Sequence, residues 1–176
     1  MGKKIIITGG LGYIGTELCK IYSGHSWNDK IIVIDNKFVS ERVNQLRNWN
    51  IEFIHGDILD LELVKKHCSD ADIVHHLAGI TQVPRVKSES NDQNDDLIKN
   101  VAEKGTQNIL DSISEKCKII LPSTHVVYEG ISVVKNDIQE NEVTSPILSY
   151  AKSKDFNEKQ LQKSGKNYVI LRLGSV

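Results

Sequence analysis

The sequence predicts a doubly wound α/β fold, a parallel sheet of six or more strands with helices on both faces, and three observations predict it. Short apolar runs such as Ile5-Ile6-Ile7 and Ile31-Ile32-Val33-Ile34 recur along the chain. They lack the polar alternation of a half-exposed sheet and read as strands buried on both faces. Segments with apolar residues at helical spacing separate those runs. The first run ends in a glycine-rich turn that leads directly into such a segment.

Lys3 to Thr8 reads as a buried strand, because its three isoleucines are β-branched and a glycine pair closes the run. From Tyr13 the pattern becomes helical: Ile14, Leu18 and Ile21 recur with Cys19 beside them until Ser23-Gly24 breaks the segment. Lys30 to Asp35 is a second buried strand, followed by a polar helical stretch through about Trp49. A third strand at Ile51 to His55 is ended by Gly56-Asp57. Leu59 to His67 suits a short helix, Asp72 to Ala78 a fourth strand, Leu97 to Ile113 a long helix and Lys118 to Ser123 a fifth strand. Tyr150 to Gln162 reads as a helix and Tyr168 to Leu173 as the sixth strand. Lys87 to Asp96 is the one compositional break, a polar stretch that fits a solvated loop or a helix start.

A chain of 176 residues, 39% of them hydrophobic, can bury one substantial core. With 22 basic and 23 acidic side chains the formal charge is −1, so no long-range field favours nucleic acid or an anionic membrane surface. Phosphate must then be bound locally. Cys19, Cys68 and Cys117 are far apart and in no Cys-x-x-Cys arrangement, which argues against a disulfide framework or a zinc site and for a reducing cytoplasm. The first residues offer only three consecutive apolar side chains, too few for a secretory core, and Gly2 lacks the hydroxyl residue at position 6 of a myristoylation signal. No apolar run is long enough to span a membrane.

Gly9, Gly12 and Gly15 form G-x-x-G-x-x-G between the first strand and first helix. A pyrophosphate needs this: backbone without Cβ at a tight turn, close approach, and helix N-terminal amides aimed at negative charge. Gly15 also lets the helix pack closely on the strand. Asp35 ends the second strand twenty positions after Gly15, where a carboxylate accepts hydrogen bonds from both ribose hydroxyls and repels a 2′-phosphate. Asn36 follows it instead of an arginine, so NAD is the expected cofactor, although Lys37 is also near.

Tyr150 and Lys154 are four residues apart and share a helix face. An ammonium near a phenol stabilises phenolate and lowers its pKa from about 10 toward a value useful for proton transfer. Thr124, just after the fifth strand, brings a hydroxyl to the carboxyl edge of the sheet, where doubly wound folds bind ligands. Asp57 after the third strand and Leu77-Ala78-Gly79 after the fourth share that edge.

These residues resemble the extended short-chain dehydrogenase/reductases, a Rossmann-fold family of NAD-dependent epimerases and dehydratases, and within it the branch of UDP-galactose 4-epimerase. The match comprises Thr8 to Gly15 (TGGLGYIG), Val33 to Asn36 (VIDN), Gly56 to Ile58 (GDI), His76 to Gly79 (HLAG), Asn100 to Thr106, Ser123 to Tyr128 (STHVVY), Tyr150 to Lys154 (YAKSK) and Leu171 to Val176 (LRLGSV). The resemblance implies that Gly9, Gly12, Tyr13, Ile14 and Gly15 contact the pyrophosphate region, that Asp35 and Asn36 contact the adenosine ribose, and that Asp57 and Ile58 flank the adenine. Leu77, Ala78, Gly79 and Asn100 would line the cofactor channel, Lys154 would bridge the nicotinamide ribose and Tyr150, and Thr124 would hydrogen-bond the reacting oxygen. The implied chemistry is proton removal from a sugar hydroxyl by Tyr150 while hydride passes from the same carbon to the nicotinamide, with return to the opposite face in an epimerase.

The pattern also departs from the family. Dehydratases carry Thr-Asp-Glu before Val-Tyr, whereas His125 and Val126 follow Thr124 here, which disfavours dehydration. Tyr128-Glu129-Gly130 carries one residue more than Val-Tyr-Gly, a spacing similar to that of deoxysugar reductases, so a reductase stays an alternative to an epimerase. A non-catalytic NAD-binding module is the other. His75 and His76 read as strand-end or surface residues, not metal ligands. The resemblance implies a nucleotide-sugar substrate, UDP-, GDP-, CDP- or dTDP-linked, and a homodimer pairing through Leu97 to Ile113 and Tyr150 to Gln162. It also implies that residues 1–176 are the NAD-binding domain, that the substrate-binding region lies after Val176, and that the chain alone binds cofactor with little or no turnover.

Overall fold

The computed structural model describes residues 2–25, 28–80, 92–133 and 135–174. Six strands, β1 (Lys4–Thr8), β2 (Lys30–Asp35), β3 (Glu52–His55), β4 (Ile73–His76), β5 (Lys118–Thr124) and β6 (Asn167–Leu173), form one sheet in the order β3-β2-β1-β4-β5-β6. Every pair is parallel. All six strands predicted from the apolar runs are present, in a doubly wound Rossmann architecture.

Side chains alternate across a strand, and the isoleucine-rich runs therefore feed two cores. Ile6, Ile32, Ile34, Val74, Ile119 and Leu121 pack with Val64 and Cys68 of α3 (Leu61–Cys68), Ile109 and Leu110 of α5 (Thr106–Ser112) and Leu161 of α6 (Ser149–Lys163). On the opposite face Ile5, Ile7, Ile31 and Val33 pack with Cys19 of α1 (Tyr13–Ser23) and Val43 and Leu46 of α2 (Ser40–Asn48). Full burial of each such side chain contributes about 1.5–3 kcal/mol. On β6 the cover thins, and Tyr168, Val169 and Leu171 remain 36% to 44% exposed.

Three elements differ from the sequence expectation by two residues or more. The fourth strand stops at His76 because Leu77 N turns to donate to both Thr8 O (3.1 Å) and His75 O (3.2 Å). The third helix begins two residues late because Asp60 caps it, its carboxylate accepting from Glu62 N and Leu63 N at 3.1 Å. The long helix expected over Leu97 to Ile113 is divided into α4 (Asp92–Asn100), a π-helical turn (Val101–Gly105) and α5. The cause is non-local: Gly105 lies against Ile58, where a Cβ would meet Ile58 Cδ1 at 2.4 Å. From α6, Asn157 Nδ2 and Gln160 Nε2 donate to the carbonyls of Ala102 (2.8 Å) and Glu103 (3.0 Å) in the widened turn. Of the polar stretch, Lys87 to Asn91 lies outside the described residues, as do Ser175 and Val176 of the last motif, while Asp92 to Asp96 begins α4.

The strand order reverses direction between β1 and β4, which opens a crevice at their carboxyl ends. Among the described residues no helix is long and apolar enough to cross a membrane.

Candidate active site

Gly9, Gly10, Leu11 and Gly12 turn the chain from β1 into α1. Gly9 has φ of 69°, in the left-handed region, and a Cβ there would lie 2.7 Å from the Cα and N of Ala78. The turn therefore rests directly on the chain leaving β4. A Cβ on Gly15 would lie 2.6 Å from Gly10 Cα and 2.7 Å from Gly9 O, so α1 meets the turn backbone to backbone. Gly12 precedes the helix without a side-chain cap, and the first amides of a helix have no intrahelical acceptor. Tyr13 and Ile14, 71% and 40% exposed, flank that end.

Asp35 is buried behind the turn. Its Oδ2 accepts from Leu11 N at 3.0 Å and its Oδ1 from Lys37 N at 2.9 Å. A carboxylate offers about four acceptor positions, so two hydroxyls can still be received. Arg42, on the first turns of α2, donates from Nη1 to Leu11 O. Sequence reasoning missed it, since nothing local connects a helix arginine with a turn 31 residues earlier. Asn36 Nδ2 donates to Asp57 Oδ2 (2.9 Å), while Asp57 Oδ1 accepts from Leu59 N (2.9 Å), which laces the ends of β2 and β3. Ile58 stands apart, because its side chain is in the core and its carbonyl accepts from Asn108 Nδ2 at 2.9 Å.

After β4, Ala78 N donates to Thr8 Oγ1 at 3.2 Å and Gly79 is exposed. Asn100 is exposed at the end of α4, where the π-helical turn begins. His75 and His76 are strand-end residues, and both are buried instead of on the surface. His75 Nε2 meets Tyr22 Oη at 2.8 Å. His76 lies between Thr8 Oγ1 (2.9 Å, at Nδ1) and Thr106 Oγ1 (3.0 Å, at Nε2), and Thr106 Oγ1 accepts from Asn157 Nδ2 (2.9 Å). Burial pushes the His76 imidazole down from 6.5 to about 3, with the Lys154 charge adding to it. Its two ring nitrogens thus serve as one donor and one acceptor between two hydroxyls. Among the described residues no group of three or more His, Cys, Asp or Glu side chains could hold a metal ion.

Thr124 is the last residue of β5 and 8% exposed, with Oγ1 accepting from Val126 N at 3.3 Å to start a 3-10 turn over His125–Tyr128. Tyr150 is the second residue of α6. Lys154, one turn on, directs Nζ to Pro122 O at 2.9 Å and lies 5.9 Å from the centroid of the Tyr150 ring. The ammonium thus joins the phenol's helix to the strand that ends in Thr124. The expected lowering of the phenol does not occur in this state: burial pushes Tyr150 up from 10.0. Burial of the phenol sets that direction, and the neighbouring cation is itself destabilised. Burial pushes Lys154 down from 10.5 to about 8, opposed by the Glu158 carboxylate.

Glu158, 2% exposed, accepts from Ser123 Oγ and from Arg172, whose Nε lies 3.0 Å from Oε1 and whose Nη2 lies 2.6 Å from Oε2. Arg172 Nη1 donates to Glu140 O (2.8 Å) and to Tyr128 Oη. The Lys154 to Glu158 spacing was the available signal for this carboxylate. A cavity of about 860 Å³ opens beside this pair, bordered by His125, Tyr128, Glu140 and Leu171. It is not at the glycine turn, and none of the site residues expected from the sequence lines it.

Among sequence relatives, the chain is 29% identical over 176 residues to a dTDP-D-glucose 4,6-dehydratase of Dictyostelium discoideum, covering 96% of this chain and 39% of that protein. It is 34% identical over 152 residues to a CDP-paratose 2-epimerase of Salmonella typhi, covering 80% and 42%. The solved UDP-glucose 4-epimerase of Brucella ovis in complex with NAD superposes with a TM-score of 0.77 at 26% identity, covering 97% of this chain and 51% of that one. The chain thus spans about half the length, or less, of these relatives. The model of the 3-beta hydroxysteroid dehydrogenase/isomerase family matches residues 6–172, and with this fold and these motifs the chain belongs to that family, within the extended short-chain dehydrogenase/reductases.

Proposed function

We propose that the chain is the NAD-binding domain of a nucleotide-sugar epimerase or a closely related oxidoreductase, with Tyr150 as acid and base. The observation that carries the reading is the placement of Lys154. Its buried ammonium is held by Pro122 O, two residues before Thr124, and faces the Tyr150 ring. One cation therefore joins the helix of the phenol to the strand that ends in Thr124.

The residues present fit a dinucleotide. The turn at Gly9 to Gly15 admits no added Cβ at Gly9 or Gly15, uncapped amides begin α1, and Asp35 keeps spare acceptor positions. Gly9, Gly12, Tyr13, Ile14 and Gly15 would hold the pyrophosphate, Asp35 and Asn36 the adenosine ribose, and Asp57 the adenine, with Ile58, its side chain in the core, flanking it only through backbone. Leu77, Ala78, Gly79 and Asn100 would line the channel, and Tyr150 with Lys154 would hold the nicotinamide ribose. When bound, NAD supplies a reversible hydride acceptor. Tyr150 takes and returns the proton of a sugar hydroxyl at its phenol oxygen, Thr124 hydrogen-bonds the reacting sugar oxygen, and Lys154 orients the phenol. The buried Tyr150 must first lose its proton to solvent, and the positive charge of Lys154 beside the ring would favour the phenolate. Support comes from the NAD-bound Brucella ovis structure and the epimerase relative.

The sugar contacts are placed outside residues 1–176, in a region that this reading supplies from the remainder of a longer protein. The test uses the full-length protein with NAD and UDP-, GDP-, CDP- and dTDP-hexoses, following nicotinamide absorbance and product stereochemistry. An epimerase regenerates NAD each cycle, whereas the reductase alternative, favoured by Tyr128-Glu129-Gly130, consumes NADH in proportion to product. Tyr150→Phe is expected to abolish turnover while NAD binding persists. Unchanged turnover in that variant would remove the acid/base assignment.

A further inference from the structure

The extra residue in Tyr128-Glu129-Gly130 has a place in the structure that the proposed chemistry does not use. Glu129 immediately follows the 3-10 turn that begins at Thr124, and its Oε1 accepts from two consecutive amides, Ile147 N (2.7 Å) and Leu148 N (2.6 Å). These are the last amides before α6, whose second residue is Tyr150 and whose N-cap, Leu148, has no side-chain cap of its own. Two backbone bonds support the same contact: Gly130 N donates to Ser145 O and Ser145 N to Val127 O, both at 2.8 Å. The two segments meet so closely that a Cβ on Gly130 would lie 2.5 Å from Ser145 O. Further along, Thr144 Oγ1 donates to Asp155 Oδ1 at 2.6 Å and ties the approach to the body of the helix.

We propose that Glu129 is a positioning residue for Tyr150: one carboxylate oxygen latches the start of α6 to the turn that carries Thr124, and so sets the phenol against the hydroxyl. The inference rests on the acid/base reading of Tyr150 given above. The latch needs an acceptor at the reach of a glutamate side chain and does not need its charge. Glutamine therefore satisfies it, because its amide oxygen can accept from both N–H groups. Aspartate, one methylene shorter, and alanine do not.

The experiment compares Glu129→Gln, Glu129→Asp and Glu129→Ala in the full-length protein by two measurements. The first is steady-state turnover of the hexose nucleotide that the wild type accepts. Displacing a reacting group by about 1 Å can lower the rate on the order of a hundred-fold, so Glu129→Ala and Glu129→Asp are expected to lose ten- to a hundred-fold in kcat, roughly, with KM little changed, and Glu129→Gln to restore it. The second is the ultraviolet titration of the Tyr150 phenol, isolated by subtracting the same titration in a Tyr150→Phe background. In Glu129→Ala and Glu129→Asp the phenol loosens toward solvent and titrates nearer its ordinary value of 10.0, whereas in Glu129→Gln it titrates as in the wild type. A phenol titration unaltered by Glu129→Ala, or a Glu129→Gln variant as impaired as the alanine, overturns the latch. Absence of turnover of every hexose nucleotide by the wild type overturns the acid/base reading instead, and the phenol titration still decides the latch.

Discussion

Replacing Lys154 by methionine should make the protein more stable at neutral pH, and the gain should disappear as the pH rises. In the unfolded chain the ammonium holds its proton up to its ordinary value of 10.5, but in the fold only to about 8. Between those values the unfolded state binds more protons, so stability rises with pH; below about 8 the full penalty is present. At about 1.4 kcal/mol per pH unit, the displacement corresponds to about 3 kcal/mol, an upper bound because the residue is not fully buried. Methionine removes that penalty and forfeits the bond to Pro122 O, which contributes about 1 kcal/mol. The variant should therefore exceed the wild type by about 2 kcal/mol at neutral pH and fall about 1 kcal/mol below it near pH 10.5. Urea unfolding of both proteins across that range gives the difference directly, since the other lysines and tyrosines cancel. A difference that stays flat with pH would refute the buried-cation argument.

Three further outcomes follow from the geometry. Gly15→Ala brings a Cβ within 2.7 Å of the backbone at Gly9 and Gly10; it should cost about 1–3 kcal/mol in denaturant unfolding and sharply weaken NAD binding by calorimetry. Arg172→Met leaves Glu158, 2% exposed, without its ion-pair partner and should cost about 3–5 kcal/mol. Adding Glu158→Gln to that variant should recover part of the loss in thermal melts. Burial lowers His75 from 6.5 to about 4, so the unfolded chain takes up its proton first on acidification and stability is lost as pH falls below about 6.5. Stability of His75→Gln should vary less steeply than the wild type between pH 6.5 and pH 4, and equal slopes would count against the assignment.

The features legible in the sequence are those encoded locally. Ile5, Ile6 and Ile7 form a strand because β-branched residues suit one, and burial on both faces follows from the absence of polar alternation. The glycine spacing and Asp35 were legible because the turn needs backbone without side chains and an acceptor beside it. The division of the long helix was not, since it depends on Ile58 meeting Gly105 and on Asn157 reaching the carbonyl of Ala102. Arg172 and Glu158 lie on different elements, and only the pairing of β6 with β5 brings them together. The Tyr150 phenol was misjudged for a related reason. Spacing on a helix gives the distance to Lys154, but burial is set by the whole fold and decides the direction.

The part-buried Arg172 of β6 and the buried ammonium of Lys154 on α6 separate structural from functional burial. Arg172 is met by a carboxylate through parallel bonds and by a carbonyl and a phenol, an arrangement that offsets much of its desolvation. Lys154 lies on the same side of the sheet but bonds to a backbone carbonyl, and burial makes its ammonium easier to deprotonate. A chain shaped for stability alone would place an apolar side chain there, as the methionine variant tests. Local conflict with folding is expected where a residue serves another requirement, and on the proposed chemistry a charge held beside a phenol at the carboxyl edge of the sheet supplies that requirement. If methionine at position 154 proved stabilising while NAD binding and turnover by the full-length protein were undiminished, the unfavourable burial would have no functional counterpart, and the reading of Tyr150 and Lys154 as an acid/base pair would lose its physical basis.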